Sequence, residues 1–247
     1  VAKQSGLGDN FYVGGVNVSG DIASLESIST SRATLGTTGI DKSAEERIHG
    51  IKDGGFSFTS FFNPAVAQAF PTLKALPTAD VVCSYFRGTV LGNPAASCVG
   101  KQINYDGDRS NSGEFQFKAA VQGNGYGLEW GRMLTAGQRT DTTATSPASG
   151  VDTLAAASFG AQAYLHVFAF TGTSVTVKIQ DSADNSSFAD ISPSLVFAAA
   201  SAVGTQRISV ANTTTLRRYL RAITTGTFSN AVFAVNVIKN EEAGVVF

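Results

Sequence analysis

The sequence predicts a mainly β protein. It expects a β-sandwich or barrel domain with one flanking α-helix and a long loop, then a second all-β sandwich of immunoglobulin-like or similar type. Three observations carry this. Glycine (26) and phenylalanine (17) are abundant and Val, Thr and Ser recur throughout, a strand-and-turn composition. Short apolar runs with period-two alternation, bounded by turn residues, repeat from Phe11 to Ile238. Only Asn63–Leu76 sets a stripe of apolar residues at helical spacing behind a helix-start signal.

Phe11–Val18 (FYVGGVNV) reads as a strand interrupted by Gly14-Gly15, which allows a bulge or a close backbone approach. In Asp21–Ser31 the apolar residues Ile22, Leu25 and Ile28 fall three apart. That spacing fits a short helical turn as well as an irregular strand, and the Ser/Thr-rich surroundings favour the strand. Thr30–Gly55 is a long polar excursion, either a loose surface loop or an ordered contact arm. Within it Asp41–Gly50 is helix-capable, with Ser43 and Glu46 at capping-box spacing, and Lys52-Asp53-Gly54-Gly55 would end that helix. Phe56–Phe62 (FSFTSFF) is a strand with one buried aromatic face.

Asn63-Pro64 offers an N-cap and a first-turn proline. The helix that follows should break or kink at Pro71 and bury Val66, Ala69, Phe70, Leu73 and Leu76. Asp80–Arg87 and Cys98–Tyr105 are strands around a Gly/Pro/Ser loop, and Glu114–Val121 points Phe115, Phe117, Ala119 and Val121 inward. Gly125–Leu134 closes this half. Ala136–Asp152 is poor in large apolar residues and reads as a linker, so the expected division is a domain over 1–137, a linker over 138–152 and a β-sandwich over 153–247. The strands expected in that sandwich are Ala161–Phe170, Ser174–Asp181, Leu195–Ala198, Gln206–Val210, Arg217–Thr224 and Ala231–Ile238.

Charge excludes some functions. The net charge is −1, with 11 Lys/Arg against 12 Asp/Glu in residues 1–137 and 7 against 7 beyond, so neither half offers a basic footprint for nucleic acid. No run approaches the ~18 consecutive apolar residues of a membrane helix. The first residues lack the apolar stretch of a secretory signal, which points to synthesis in the cytoplasm. In such a compartment Cys83 and Cys98 are expected as buried thiols, a disulfide being the other arrangement.

Catalytic and metal constellations are weak. His49 and His166 are the only histidines, no G-x-S-x-G elbow accompanies them, and neither HExxH nor paired CxxC occurs, so no catalytic residue, metal site or cofactor is assigned. Gly123-x-Gly125-x-Gly127 lacks the βαβ context of a phosphate loop and reads as a tight hairpin. Asp106–Glu114 alternates oxygen-bearing side chains, but its glycine and terminal Glu are misplaced for an EF-hand. Leu216–Arg221 (LRRYLR) groups Arg217 and Arg221 with Tyr219 on one strand face, either a contact for sugars or acidic partners or the polar side of a sandwich strand.

Several segments together resemble the major tail tube proteins of long-tailed bacteriophages of actinobacteria. They are Gly20–Ala65, Asp80–Asp106 (DVVCSYFRGTVLGNPAASCVGKQINYD) and Asn124–Gly137 (NGYGLEWGRMLTAG), with Ala163–Ile191 and Arg217–Asn240 similar to an appended C-terminal module. The resemblance implies a tail-tube β-sandwich whose six copies close into a ring, the rings stacking into a hollow tail. It implies that the loop over Thr30–Gly55 reaches the adjacent ring, with Thr37, Asp41, Lys42, Glu45, Glu46, Arg47 and Lys52 as its contacts. Implied partners are further copies of the chain, the tape measure, tail terminator and distal tail proteins, and phage DNA passing through the lumen without tight binding. No membrane is implied. The implied location is the virion tail, assembled in the host cytoplasm. The other reading is a tail decoration or adhesin protein that binds host glycans through Arg217, Tyr219 and Arg221.

Overall fold

The computed structural model describes residues 5–243. In chain order its strands are β1 (Asn10–Val13), β2 (Val16–Asn17), β3 (Ile22–Gly36), β4 (Arg47–Phe61), β5 (Val81–Phe86), β6 (Pro94–Arg109) and β7 (Phe115–Gly123). They continue as β8 (Glu129–Met133), β9 (Arg139–Asp141), β10 (Val151–Asp152), β11 (Ala161–Ser182), β12 (Ala189–Val196), β13 (Gly204–Val210) and β14 (Tyr219–Lys239). One short helix, α1 (Ala69–Leu73), interrupts them. All the pairings between strands are antiparallel and join into one large sheet.

The first half runs β3-β4-β7-β6-β5-β1-β2, with β8 sharing the β7 side of β6. Gly14 and Gly15, at φ of 60° and 85°, make the two-residue turn between β1 and β2. The inner faces bury Phe11, Val13, Phe56, Phe58, Cys98, Ala119 and Val121 in one cluster, where the Phe11 ring lies 5.2 Å from Phe56 and 4.8 Å from Phe58. Cys83 and Cys98 face each other across β5 and β6 as free buried thiols.

The spacing of Ile22, Leu25 and Ile28 has a clear cause. These residues stand opposite Ser60, Phe58 and Phe56, which are only two apart on β4. The register shifts once after Ile22 and again after Leu25, so each bulge absorbs one extra residue and keeps all three on the core side. Glu26, the second extra residue, accepts hydrogen bonds from the Ser57 and Thr59 hydroxyls.

Several expectations are corrected. Asp41–Gly50 is no helix: residues 37–46 are the tip of the β3–β4 hairpin, and Arg47 already begins β4. Lys52-Asp53-Gly54-Gly55 does not break an element but lies inside β4, because a Cβ on Gly55 would sit 2.1 Å from the Val121 carbonyl oxygen in the neighbouring strand. The helix spans only Ala69–Leu73, with Pro71 in the first turn, where its missing N–H costs nothing. Its Ala69 N–H is capped by Asp21 Oδ2 at 2.8 Å, and Val66 and Leu76 are exposed. Phe115 and Phe117 lie beyond the core, where Phe117 stacks 4.4 Å from Tyr105 beneath Phe70. Gly123–Gly127 is not a hairpin turn: β7 and β8 do not pair but follow one another along the same edge of β6.

In the second half, the four strands expected over 161–181 and 217–238 are two long ones, β11 and β14, paired over 161–182 and 219–239. Register shifts between Val167 and Ser174 fall where Gly172 and Gly226 take positive φ of 151° and 119°. Val167 and Val175 from either side of this bend share one core with Ile191, Leu195, Phe197 and Leu216. Ala163, Leu165, Val235 and Val237 face that core, whereas Tyr164, Phe168, Ala234 and Ile238 point the other way, onto Tyr12, Phe86, Met133, Val82 and Val99. The Ala161–Phe168 stretch is therefore covered on both faces, which explains its nearly unbroken apolar run. Residues 138–152 are tied down rather than loose: β9 pairs with Ala231–Phe233, β10 with Tyr219 and Leu220, and Thr145 exchanges backbone hydrogen bonds with Thr224.

Candidate functional site

The β3–β4 hairpin packs only at its lower end. Up to Ile28 opposite Phe56 it covers the core; from Ser29 onward β3 is exposed on both faces. The ladder nevertheless continues through Arg32↔Lys52, Leu35↔Ile48 and Gly36↔Arg47. Its tip is closed by the Thr37 N–H donating to the Glu46 carbonyl and the Glu46 N–H donating to Thr38 Oγ1, both at 2.9 Å. Leu35, Ile48 and Ile51 are more than half exposed along it, and Ile40 at the tip is fully exposed. An isolated two-stranded ribbon is marginal in water; here only the root is covered, where Gly50 and Lys52 of β4 are half-buried and Gly54 is buried.

Of the expected arm residues, Thr37, Asp41, Lys42, Glu45 and Glu46 sit on the tip and Arg47 beside it. Lys42 lies 3.9 Å from Asp41 and 3.6 Å from Glu46, and Arg47 pairs with Glu45. Such exposed pairs add little stability. Lys52 is elsewhere: it stands at the root of the arm and donates to Glu129 Oε1 at 2.6 Å, half-buried. β3 also leaves a free margin. Among the described residues its only ladder is with β4, and its lower part borders a groove of about 390 Å³ lined by Asp9, Phe11, Ser19 and Tyr85.

The arginines of the second half are committed within the chain. Arg217 precedes β14; its N–H and Nε donate to the two oxygens of buried Asp181, each at 2.8 Å, and its Nη2 to the Asp181 carbonyl. Arg221 donates to Gln180 Oε1 and the Pro147 carbonyl and lies 4.1 Å over the Phe188 ring, where burial lowers its pKa. Tyr219 lies under Arg218, which is paired with Asp152; that hydrogen bond and the Leu154 N–H hold the Asp152 carboxyl down at about 2.

His49 is exposed on the arm. His166 is fully buried between the halves, its Nε2 2.9 Å from Ser84 Oγ; Ser84 contacts Ser97 Oγ at 2.7 Å, which accepts from Asn236 Nδ2 at 2.9 Å. Burial pushes the imidazole down to about 3. Among the described residues no carboxylate joins this chain, and the His166 ring is fully buried. Alternation places His166 in an apolar strand, but its partner Ser84, 82 positions earlier in the chain, leaves no local signal. Among the described residues no three of His, Cys, Asp and Glu converge as metal ligands, and no helix is long and apolar enough to cross a membrane.

No protein-family model and no curated protein matches the chain. Among solved structures it is similar to the Dit (gp 19.1) protein of phage SPP1, described as a hub adsorption apparatus of phages infecting Gram-positive hosts, at 10% identity and a TM-score of 0.31 over 94% of this chain and 99% of that one. It is also similar to the phage p2 baseplate in its activated conformation, with strontium (9% identity, TM-score 0.33) and with calcium (9%, 0.32), over the same shares. Superpositions this loose transfer neither function nor residue roles.

Proposed function

We propose that this chain is a structural subunit of a bacteriophage tail, and more specifically a tail tube protein whose copies close into stacked hexameric rings around a conduit for DNA. The observation that carries the reading is the arm: a paired hairpin whose β3 strand is exposed from Ser29 onward, with Leu35, Ile40, Ile48 and Ile51 bare. Solvent alone gives such a ribbon no reason to persist; a neighbouring copy does. The open margin of β3 supports it, since an unpaired edge is a liability in a monomer and a joint in a closed ring. The resemblance of Gly20–Ala65 and the later segments to tail tube proteins supplies the phage context. A net charge of −1 suits a conduit that must let DNA pass without holding it. The tape measure, tail terminator and distal tail proteins would be the other partners.

A glycan-binding role would require Arg217 and Arg221 to leave Asp181, Gln180 and Pro147, and nothing in the structure favours that. The test is negative-stain microscopy and sedimentation of the purified chain across a concentration series. Rings or tubes are expected; replacing Thr37–Glu46 by Asn-Gly should keep the fold and block stacking. A chain that stays monomeric at all concentrations, even with the other tail components, refutes the reading.

A further inference from the structure

At the root of the arm lies a groove of about 520 Å³, bordered by Arg32, His49, Lys52, Tyr126, Gln162 and Arg207. It lies where the hairpin meets β13 and the turn before β8. Arg207 lies 3.6 Å over the Tyr126 ring and donates through Nη2 to Oε1 of the fully buried Gln162. Aromatic stacking and a buried amide therefore fix this guanidinium in place. On the groove's floor Lys52 is neutralised by Glu129. Arg32 and Arg207, by contrast, have no carboxylate partner among the described residues. Behind them Gln162 Nε2 and Arg207 Nε are buried donors without an acceptor, and Glu129, which also lines the groove, is already paired with Lys52.

The complementary charge lies on the same chain but out of its own reach. The tip carries Asp41, Glu45 and Glu46, with side chains 77%, 68% and 52% exposed, against Lys42 and Arg47. The ladder from Arg32↔Lys52 to Gly36↔Arg47 holds that tip about 13 Å or more from Arg32, at 3.3 Å per strand residue. A molecule cannot fill its own groove without breaking its own arm.

We propose that this groove is a carboxylate socket whose occupant is the acidic arm tip of a second copy of this chain. Asp41 or Glu45 of the incoming tip meets the guanidinium groups of Arg32 and Arg207, Arg32 being free to fork onto the carboxylate. Tip and socket are different surfaces, so the contact is head-to-tail and repeats along an axis instead of closing a pair. This rests on the self-association reading above and names the receiving site it lacks.

Sedimentation velocity on the full chain tests it with a charge exchange. Arg32→Glu with Arg207→Glu makes the socket acidic; Asp41→Lys with Glu45→Lys makes the tip basic. Each variant alone should need at least tenfold more protein for half-association. An equimolar mixture should recover association, because each variant's tip then matches the other's socket. Arg32→Glu alone, at an exposed residue with no partner to lose, should weaken association in the same direction and guards against misfolding of the Arg207 variant. Wild-type association that is undiminished in all the variants, or a mixture no better than either variant, overturns the socket and leaves the tail-subunit reading standing. A wild-type chain that never associates overturns both.

Discussion

Mild acid should destabilise this protein through a single side chain. The His166 imidazole is fully buried and its folded pKa is pushed down to about 3, against an ordinary value of 6.5. Below pH 6.5 the unfolded chain therefore takes up a proton that the folded chain refuses, so stability falls as pH drops and keeps falling until about pH 3. The slope in that window is about 1.4 kcal/mol per pH unit, so moving from pH 7.5 to pH 5.0 should cost roughly 2 kcal/mol. That is a large share of a typical total of about 5–15 kcal/mol. Two carboxylates with lowered pKa act outside this window: hydrogen bonds from Arg218 and Leu154 hold Asp152 at about 2, and those from Lys178 and Gln180 lower Asp190, so their stabilisation is lost only below about pH 4. Urea unfolding followed by Trp130 fluorescence at dilute concentration, in a His49→Gln background, isolates the effect. His166→Gln keeps an amide within reach of Ser84 and should abolish the pH dependence between 7.5 and 5.0. An equal loss in both proteins, or no loss in either, would refute the assignment of the acid response to this buried ring.

Phe58→Ala removes a fully buried ring packed 4.8 Å from Phe11 and should cost about 3–5 kcal/mol in urea unfolding. Gly55→Ala would drive a methyl group to 2.1 Å from the Val121 carbonyl oxygen, so it should part β4 from β7 and lower the melting temperature far more than Gly20→Ala, where the added carbon meets nothing and φ is ordinary. Burial pushes the Cys98 thiol up to about 12 and raises Cys83 as well, so neither should react with a thiol reagent at pH 8 until the chain is unfolded; rapid labelling of the native protein would contradict the packing of β5 against β6.

The strands of the core were legible because burial on one face writes a period of two. Phe56 and Phe58 and the Ala119, Val121 pair show it directly. What misled was polar sequence, where local propensity is weak and distant contacts decide. Asp41–Gly50 has capping-box spacing, yet its two ends are held by strands, so the residues between serve as a turn. Gly54 and Gly55 look like breakers, but the close approach of Val121 and Leu128 requires the absence of a side chain at both. The three-residue steps from Ile22 to Ile28 were a readable sign of repeated bulges, once matched to the two-residue steps of Phe56, Phe58 and Ser60. The groove at the arm's root was not readable at all, since Arg32, Tyr126, Gln162 and Arg207 come from four separate parts of the chain.

The hydrophobic clusters do not follow the expected division at residues 138–152. Val151 and Leu134 belong to the core of β11–β14, while Phe11, Phe56 and Val121 belong to another. Yet Tyr164 and Phe168 extend from β11 into clusters completed by Tyr12, Phe86 and Val82, and Ala234 and Ile238 do so from β14. The two halves thus share a wall. Load placed on the arm passes through β4 and β7 to β6, and from β6 through β8 to β14, by backbone ladders at every step. The narrowest link is β8 to β14, where only Asn236↔Met133 and Val237↔Arg132 pair. If the arm does meet a neighbouring copy as proposed, its being the continuation of β3 and β4 would fix the angle of that contact better than a flexible loop could.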